Sequence, residues 1–352
     1  MRITLLLREP REAVYFALIV LFAPALTFAQ AHFTPGLANI RDYTVPDPGL
    51  YVAVYNYSYQ TSNLTDNNGN QINQVLIGPP GGPSAPLNVN VDVKMYALAP
   101  MLLWVSHWNF LGAHYAAYIV PVFSNANIAG SLETVKGRGI NPETSEFAVG
   151  DLLVQPLWLG WKRKHFDVTT GYGFYAPVGR FDTTAINFPS GPRVLTSAKN
   201  VGLGYWTHQL QGNLTWYPSV KRGTAVTNTI TLEFNSTQRD TDFTNGNFLT
   251  WNWGLSQYLP LDKKFKYLAE LGLAGYSQWQ VSDSSGPNVS NPSQHGQVDG
   301  IGLQAGIVNA QKGWQVNFIY MNEYHAANRF RGNSYGLNLA FTLKKPPTPA
   351  TP

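Results

Sequence analysis

The 352-residue chain has no cysteine, so no disulfide framework braces it and no thiolate is at hand as a nucleophile or metal ligand. Charge is scarce as well. Only 12% of residues are Asp, Glu, Lys or Arg, about half the roughly 25% usual in soluble domains. The 24 basic and 20 acidic residues nearly balance, and no basic run exceeds Lys162-Arg163-Lys164. A nucleic-acid partner would call for a larger excess gathered on one face. The seven histidines show neither HExxH nor another paired metal spacing, and no G-x-S-x-G elbow occurs. The sequence therefore nominates no metal, no cofactor and no catalytic residue. Past residue 26 there is no apolar run long enough for a helix to cross a bilayer.

What is present begins with an export signal. Arg2, Arg8 and Arg11 precede an apolar stretch of about 14 residues, Ala13 to Leu26. "TFA" ending at Ala29 and "AQA" ending at Ala31 offer small residues to a signal peptidase. The stretch is shorter than the roughly 20 residues of a membrane span. The expectation is a signal peptide over 1–29, cut after Ala29 or Ala31, then a periplasmic segment over 30–48.

From residue 49 onward, alternation dominates. In "SYGLNLAFTL", Tyr335, Leu337, Leu339, Phe341 and Leu343 share one parity, while Gly336, Asn338, Ala340 and Thr342 share the other. "LNVNVDVKM" (87–95), "FLTWNWGLSQYL" (248–259), "VDGIGLQAGIV" (298–308) and "WQVNFIY" (314–320) repeat the pattern. Side chains of a strand alternate faces, so each such segment is apolar on one face only. About twelve strands are expected, near 49–60, 87–106, 110–123, 146–161, 165–178, 199–217, 224–238, 246–259, 265–281, 297–309, 314–327 and 332–343. Short connections, such as "KRK" and "PLDKK", alternate with longer ones rich in Gly, Pro and Asn, such as 61–86 and 179–198. Trp and Tyr gather near strand ends, where an amphipathic ring settles between hydrocarbon and water.

A soluble sandwich or propeller also alternates, but neither calls for aromatic bands, and no fixed repeat is visible. In lipid every backbone polar group must be paired within the protein, so only helices or closed barrels span. The fold expected is all-β: an outer-membrane, up-and-down antiparallel barrel over 49–343 with a Pro-rich tail over 344–352, brief periplasmic turns and larger external loops. Ser334, Gly336, Leu339 and Phe341 resemble the terminal recognition signal by which barrel-assembly machinery receives such proteins. Here, however, "LKKPPTPATP" follows the aromatic residue.

Four stretches together resemble the family of the MetA pathway of phenol degradation: Gly204 to Pro218, Glu233 to Leu249, Ala274 to Asp283 and Asn322 to Phe341. Asn235, Thr241, Asp242, Gly246, Gly275, Tyr276, Asn328, Arg329 and Gly332 stand where the family's recurring positions are expected. The resemblance implies a non-enzymatic channel for passive uptake of small hydrophobic or aromatic compounds.

If the apolar parity meets outer-membrane lipid, the inward set includes Asn88, Asn90, Asp92, Lys94, Gln209, Gln211, Asn213, Glu233, Asn252, Glu270, Gln315, Asn317 and Glu323. Amides and hydroxyls can pass a small polar aromatic along by weak, successive hydrogen bonds, or simply bond to one another in a blocked barrel. Arg239, Asp240, Asp242, Arg329 and Arg331 fall near external strand ends. They would form either a charged mouth or a salt-bridged clamp. Other readings stay open: surface interaction or adhesion through loop 61–86, a structural barrel without transport, or a lipid-modifying enzyme using Ser334 and His325.

Overall fold

A computed structural model of the chain describes residues 31–344, apart from 78–84, 135–138, 141–142, 145, 189–190, 198, 287–288 and 290. The expected export signal and the tail after Lys344 lie outside the described residues. Twelve strands form a closed antiparallel barrel. In chain order they are β1 (Gly49–Leu64), β2 (Ala85–Phe110), β3 (Ala113–Thr134), β4 (Phe147–Lys162), β5 (Phe166–Ala176), β6 (Thr207–Trp216), β7 (Thr224–Asn235), β8 (Phe248–Pro260), β9 (Tyr267–Gln280), β10 (Gln297–Asn309), β11 (Trp314–Ala327) and β12 (Phe330–Lys344). Each pairs with its sequence neighbours, and β1 pairs with β12 from Leu50–Lys344 to Leu64–Phe330, which removes any free edge.

Eleven connections join the strands, and they alternate as the sequence implies. One end carries tight turns, at 111–112, 163–165, 217–223, 261–266 and 310–313; the other carries the long loops and the brief 328–329 turn. The first tight turn, at 111–112, sits later than the gap at 107–109 expected between the second and third strands. Leu111 (φ 50°) and Gly112 (φ 80°) both take positive φ, the conformation of a two-residue hairpin turn. A register shift between Val105 and Asn109 absorbs the extra residues of β2. Residues 199–206, expected inside a strand, belong instead to the long-loop end. There Asp151 accepts hydrogen bonds from the Gly179 and Leu203 amides at 3.0 and 2.7 Å.

The outer face is apolar at mid-height. Leu210, Leu214, Ile230, Trp251, Leu255, Leu271, Leu303, Phe318 and Leu337 all point out and are exposed. The tight-turn end bears outward Trp104, Trp108, Phe166, Trp216 and Phe341. Trp158 and Tyr217 also lie near that end but face inward and are buried.

Two departures from regularity matter for the lumen. First, β2 and β3 have 26 and 22 residues, whereas a tilted span of the hydrocarbon needs only about ten. Their upper parts therefore stand beyond the lipid at the long-loop end, joined by the short strand Gln74–Ile77. Second, Pro100, Pro121 and Pro156 lie on adjacent strands. The β2–β3 pairing skips 99–101 opposite 120–122, and the β3–β4 and β4–β5 pairings shift beside Pro121 and Pro156. Proline has no N–H to donate, so the ladder is broken locally at each.

Closure is directly testable because the chain has no cysteine of its own. Val54 and Leu339 are outward partners across β1–β12. Val54→Cys with Leu339→Cys should crosslink on mild oxidation, and the product should keep the gel mobility of the folded barrel when heated. A lipid-face charge checks the outward parity. Leu210→Arg should cost about 2–4 kcal/mol in urea unfolding from bilayers, the penalty of a midplane Arg.

Candidate functional site

The barrel interior is not uniform. On β5 to β12 the inward side chains are largely polar: Thr169, Gln209, Gln211, Asn213, Thr229, Thr231, Glu233, Thr250, Asn252, Glu270, Gln278, Gln304, Asn317 and Asn338 are buried. On β1 to β4 they are mainly apolar or Tyr: Ala53, Tyr55 and Tyr57 on β1; Val91, Val93, Ala99, Leu103 and Val105 on β2; Val120 on β3; and Trp158 on β4.

The polar half is covered by the chain's own N-terminal segment. Residues 31–48, expected in the periplasm, turn back from the start of β1 and run up the lumen toward the long-loop end. At the tight-turn end, Lys162 Nζ meets Asp47 Oδ1 at 2.6 Å, and Thr169 Oγ1 donates to Tyr43 O at 3.1 Å. Arg41 then makes the densest set of contacts. Its Nε donates to Ser256 Oγ (2.7 Å) and its terminal nitrogens to the Arg222 and Gly223 carbonyls (3.0 and 2.6 Å). The guanidinium also lies 3.5 Å from Glu270 Oε1 and 3.9 Å from the centre of the Tyr258 ring. Asp42 accepts from the Tyr55 hydroxyl at 3.0 Å.

Higher up, the wall's amides bond the segment's backbone. Ile40 N donates to Gln304 Oε1 (2.9 Å), Asn338 Nδ2 to Leu37 O (2.9 Å), and Gln278 Nε2 to Phe33 O (3.0 Å). An irregular stretch of chain in the middle of a barrel must have its backbone groups satisfied somewhere, and these side chains do so for the groups named. Glycines give it room. A Cβ on Gly254 would sit 2.7 Å from Ile40 Cγ2, and one on Gly160 would sit 2.6 Å from Val45 Cβ.

Between the segment and the apolar half lies a cavity of about 760 Å³. Val93, Met95, Ala97, Ala99, Met101 and Leu103, successive inward positions of one strand, border it together. Tyr55, Tyr57, Tyr59, Tyr118 and Tyr175 add ring faces and hydroxyls. Several of those hydroxyls have partners: Tyr59 donates to Glu323 (2.8 Å) and Tyr118 to Gln155 (2.7 Å).

The structure places the nominated residues in three groups. Gln209, Gln211, Gln315 and Glu323 border the cavity. Asn213, Glu233, Asn252, Glu270 and Asn317 face inward but are packed in the polar half. Asn88, Asn90, Asp92 and Lys94 point outward, opposite to the nomination. Lys94 pairs with Asp92 at 2.8 Å, and Gln74 donates to Asn88 at 2.9 Å. They belong to the part of β2 that stands beyond the lipid, where water takes the polar face and the valines turn inward. The alternating run of 20 residues over 87–106 already exceeded what a bilayer needs, and that excess was the available signal.

The mouth charges remain in two separate groups. Arg239 lies 3.9 Å from Asp240 and over the Phe181 ring. Arg329 donates to Gln278 Oε1 at 3.0 Å and lies 4.0 Å from Glu323. Asp242 lies in a loop with a positive φ of 54°, and the Arg331 carbonyl accepts from Thr61 at 2.5 Å. Among the described residues His325 pairs with Asp299 at 3.0 Å. Sequence reasoning missed the apolar cavity wall and the part played by His32, Arg41 and Asp42. The inward carboxylates were the available clue, since buried charge needs a counter-ion.

Residues 61–339 match the family model described as "Putative MetA-pathway of phenol degradation". The chain belongs to this family. In fold it is similar to an outer membrane channel from Pseudomonas putida F1, at TM-score 0.56 and 14% identity, covering 87% of this chain and 100% of that one. The β domain of the Bordetella autotransporter BrkA aligns with 11% identity over 84% of this chain and 100% of that chain, at TM-score 0.47. No curated protein sequence matches. The protein is an outer-membrane β-barrel.

Two substitutions test how the segment is held. Arg41→Ala leaves Glu270 buried without its cation, and losing one partner of a buried pair costs about 3–5 kcal/mol. The double change Arg41→Ala with Glu270→Gln should recover part of that loss in urea unfolding. Gly254→Val should leave the strands paired but push Ile40 from its seat, so limited proteolysis should cut within 31–48 faster than in the wild type.

Proposed function

We propose that this channel admits small apolar or aromatic molecules, and that they move along the inner face of β2 rather than through the amide-lined half. The observation that carries the reading is the unbroken inward series Val93, Met95, Ala97, Ala99, Met101 and Leu103 along one cavity. An apolar solute entering such a space gains roughly 25 cal/mol for each Å² it removes from water. A sugar or ion gives up hydration there for few partners. The surrounding tyrosines offer edges and faces to an aromatic ring, and hydroxyls that a phenol can exchange one after another. Family membership supports the aromatic part of the reading.

The route also runs behind Pro100 and Pro121, where the wall has lost ladder bonds. This stretch of wall is the least restrained against widening as a bulky solute passes. The amide-lined half then serves chiefly to dock the N-terminal segment.

The test is uptake into liposomes or intact cells, with and without the protein, across phenols, fatty acids and sugars. Phenols or fatty acids should enter severalfold faster with the protein, and sugars should not. Ala99→Trp should slow that uptake while the outward Ile119→Trp leaves it unchanged. Equal entry of sugars and phenols, or an Ala99→Trp barrel that transports like wild type, would sink the proposal. A folded barrel with no flux of any kind would turn attention to surface interaction by the protruding β2–β3 region.

A further inference from the structure

Glu233 is 1% exposed, on β7 near the long-loop end, and its Oε2 accepts no hydrogen bond. Its Oε1 accepts the Phe33 amide at 2.8 Å, and the His32 backbone N–H lies against the same carboxylate. Nothing cationic among the described residues pairs with it. Asp151, a second buried acid at this end, is different: it is filled by the Gly179 and Leu203 amides and by the His32 ring.

The His32 side chain occupies a made-to-measure pocket. Nε2 lies 2.9 Å from Asp151 Oδ2 and Nδ1 lies 2.7 Å from Thr207 Oγ1. Its ring stacks on Tyr175 at 4.7 Å and meets the edge of Tyr205 at 5.0 Å. A buried carboxylate with one oxygen unanswered is relieved either by holding its proton or by a cation, and an internal peptide N–H brings no charge.

We propose that the mature chain begins at His32, and that its new α-ammonium is the counter-ion of Glu233. Ala29 and Ala31 stand in the A-x-A arrangement that a signal peptidase reads. Hydrolysis by the peptidase adds water across the Ala31–His32 peptide bond. The released leader keeps Ala31 with a carboxylate, and His32 gains an amine that is protonated near neutral pH. A neutral amide N–H with one hydrogen becomes an ammonium with three, enough to reach Oε2 as well. Cleavage after Ala29 would leave Gln30 and Ala31 in place and an uncharged amide at Glu233. Processing therefore completes the docking of the segment: the same backbone nitrogen is a poor partner in the precursor and a full ion-pair partner in the product. The proposal does not depend on which solute the barrel carries.

Intact-mass measurement and N-terminal sequencing of protein purified from outer membranes should give a chain starting at His32. A start at Gln30, or anywhere else, overturns the proposal. The ion pair is tested separately with an acylating reagent near neutral pH, where α-amines react ahead of lysines. In the folded wild type the α-amine should react at least about tenfold more slowly than in urea-unfolded protein, one charged hydrogen bond's worth of protection. Folded Glu233→Gln should lose most of that protection. Should the wild-type amine react equally fast folded and unfolded, the pairing is wrong even if the chain starts at His32. If Glu233→Gln does not fold, the folded-against-unfolded comparison on wild type still decides.

Discussion

The structure depends on one requirement: within hydrocarbon, each backbone N–H and C=O must find its partner inside the protein. The β1–β12 seam answers it by leaving no free edge. Once the ring is closed, every strand has one face in lipid and one in the lumen, and polar side chains at membrane depth have only the lumen to occupy. This explains why Leu, Ile, Phe and Trp alternate with Thr, Gln and Asn along β6 to β8. It also explains why the interior needs filling. Inward amides and carboxylates in a dry space are costly unless bonded, and twelve strands enclose too much space for wall side chains alone to meet.

The segment 31–48 and the polar wall are therefore one unit. Glu270 has Arg41, Asp151 has the His32 ring, Gln304 and Asn338 have the backbone at Ile40 and Leu37. Asp167 is answered from a turn instead, by Arg222 at 2.9 Å. Across the lumen, β1 to β4 present few groups that need answering; the segment meets them mainly through apolar side chains such as Val45 and Leu37, and the cavity persists between. The division between a filled half and an open half follows from which strands carry hydrogen-bonding side chains.

Much of this was legible in the residue order. Period-two alternation from Gly49 to Leu343 marked each strand, and the rhythm of loop lengths marked the closure. Inward Gln209, Gln211, Asn213 and Asn317 followed from parity alone. Parity misled at Asn88 to Lys94 because it assumes lipid outside, and that strand continues past the lipid into water. It was also silent on Trp158, because a bulge at Pro156 shifts which residues point in. The lumenal path of 31–48 has no periodic signature. Its polar partners lie on ten different strands, so no local window of sequence contains them. Only the counting of buried charges pointed there: inward acids on the wall outnumber the cations the wall supplies.

The path of that segment also bears on the order of events in assembly. Its first residues are bonded to partners far along the chain: His32 to Thr207, Phe33 to Glu233, Ile40 to Gln304 and Asn39 to Asn338, separations of 175, 200, 264 and 299 positions. None of these contacts can form until the strands that hold them exist side by side, and the last awaits β12. Folding dominated by such distant pairings is intrinsically slow. A stretch made before every strand of the barrel is thus among the last to reach its place, and the half-made ring must keep its interior accessible until the N-terminal strap is drawn in.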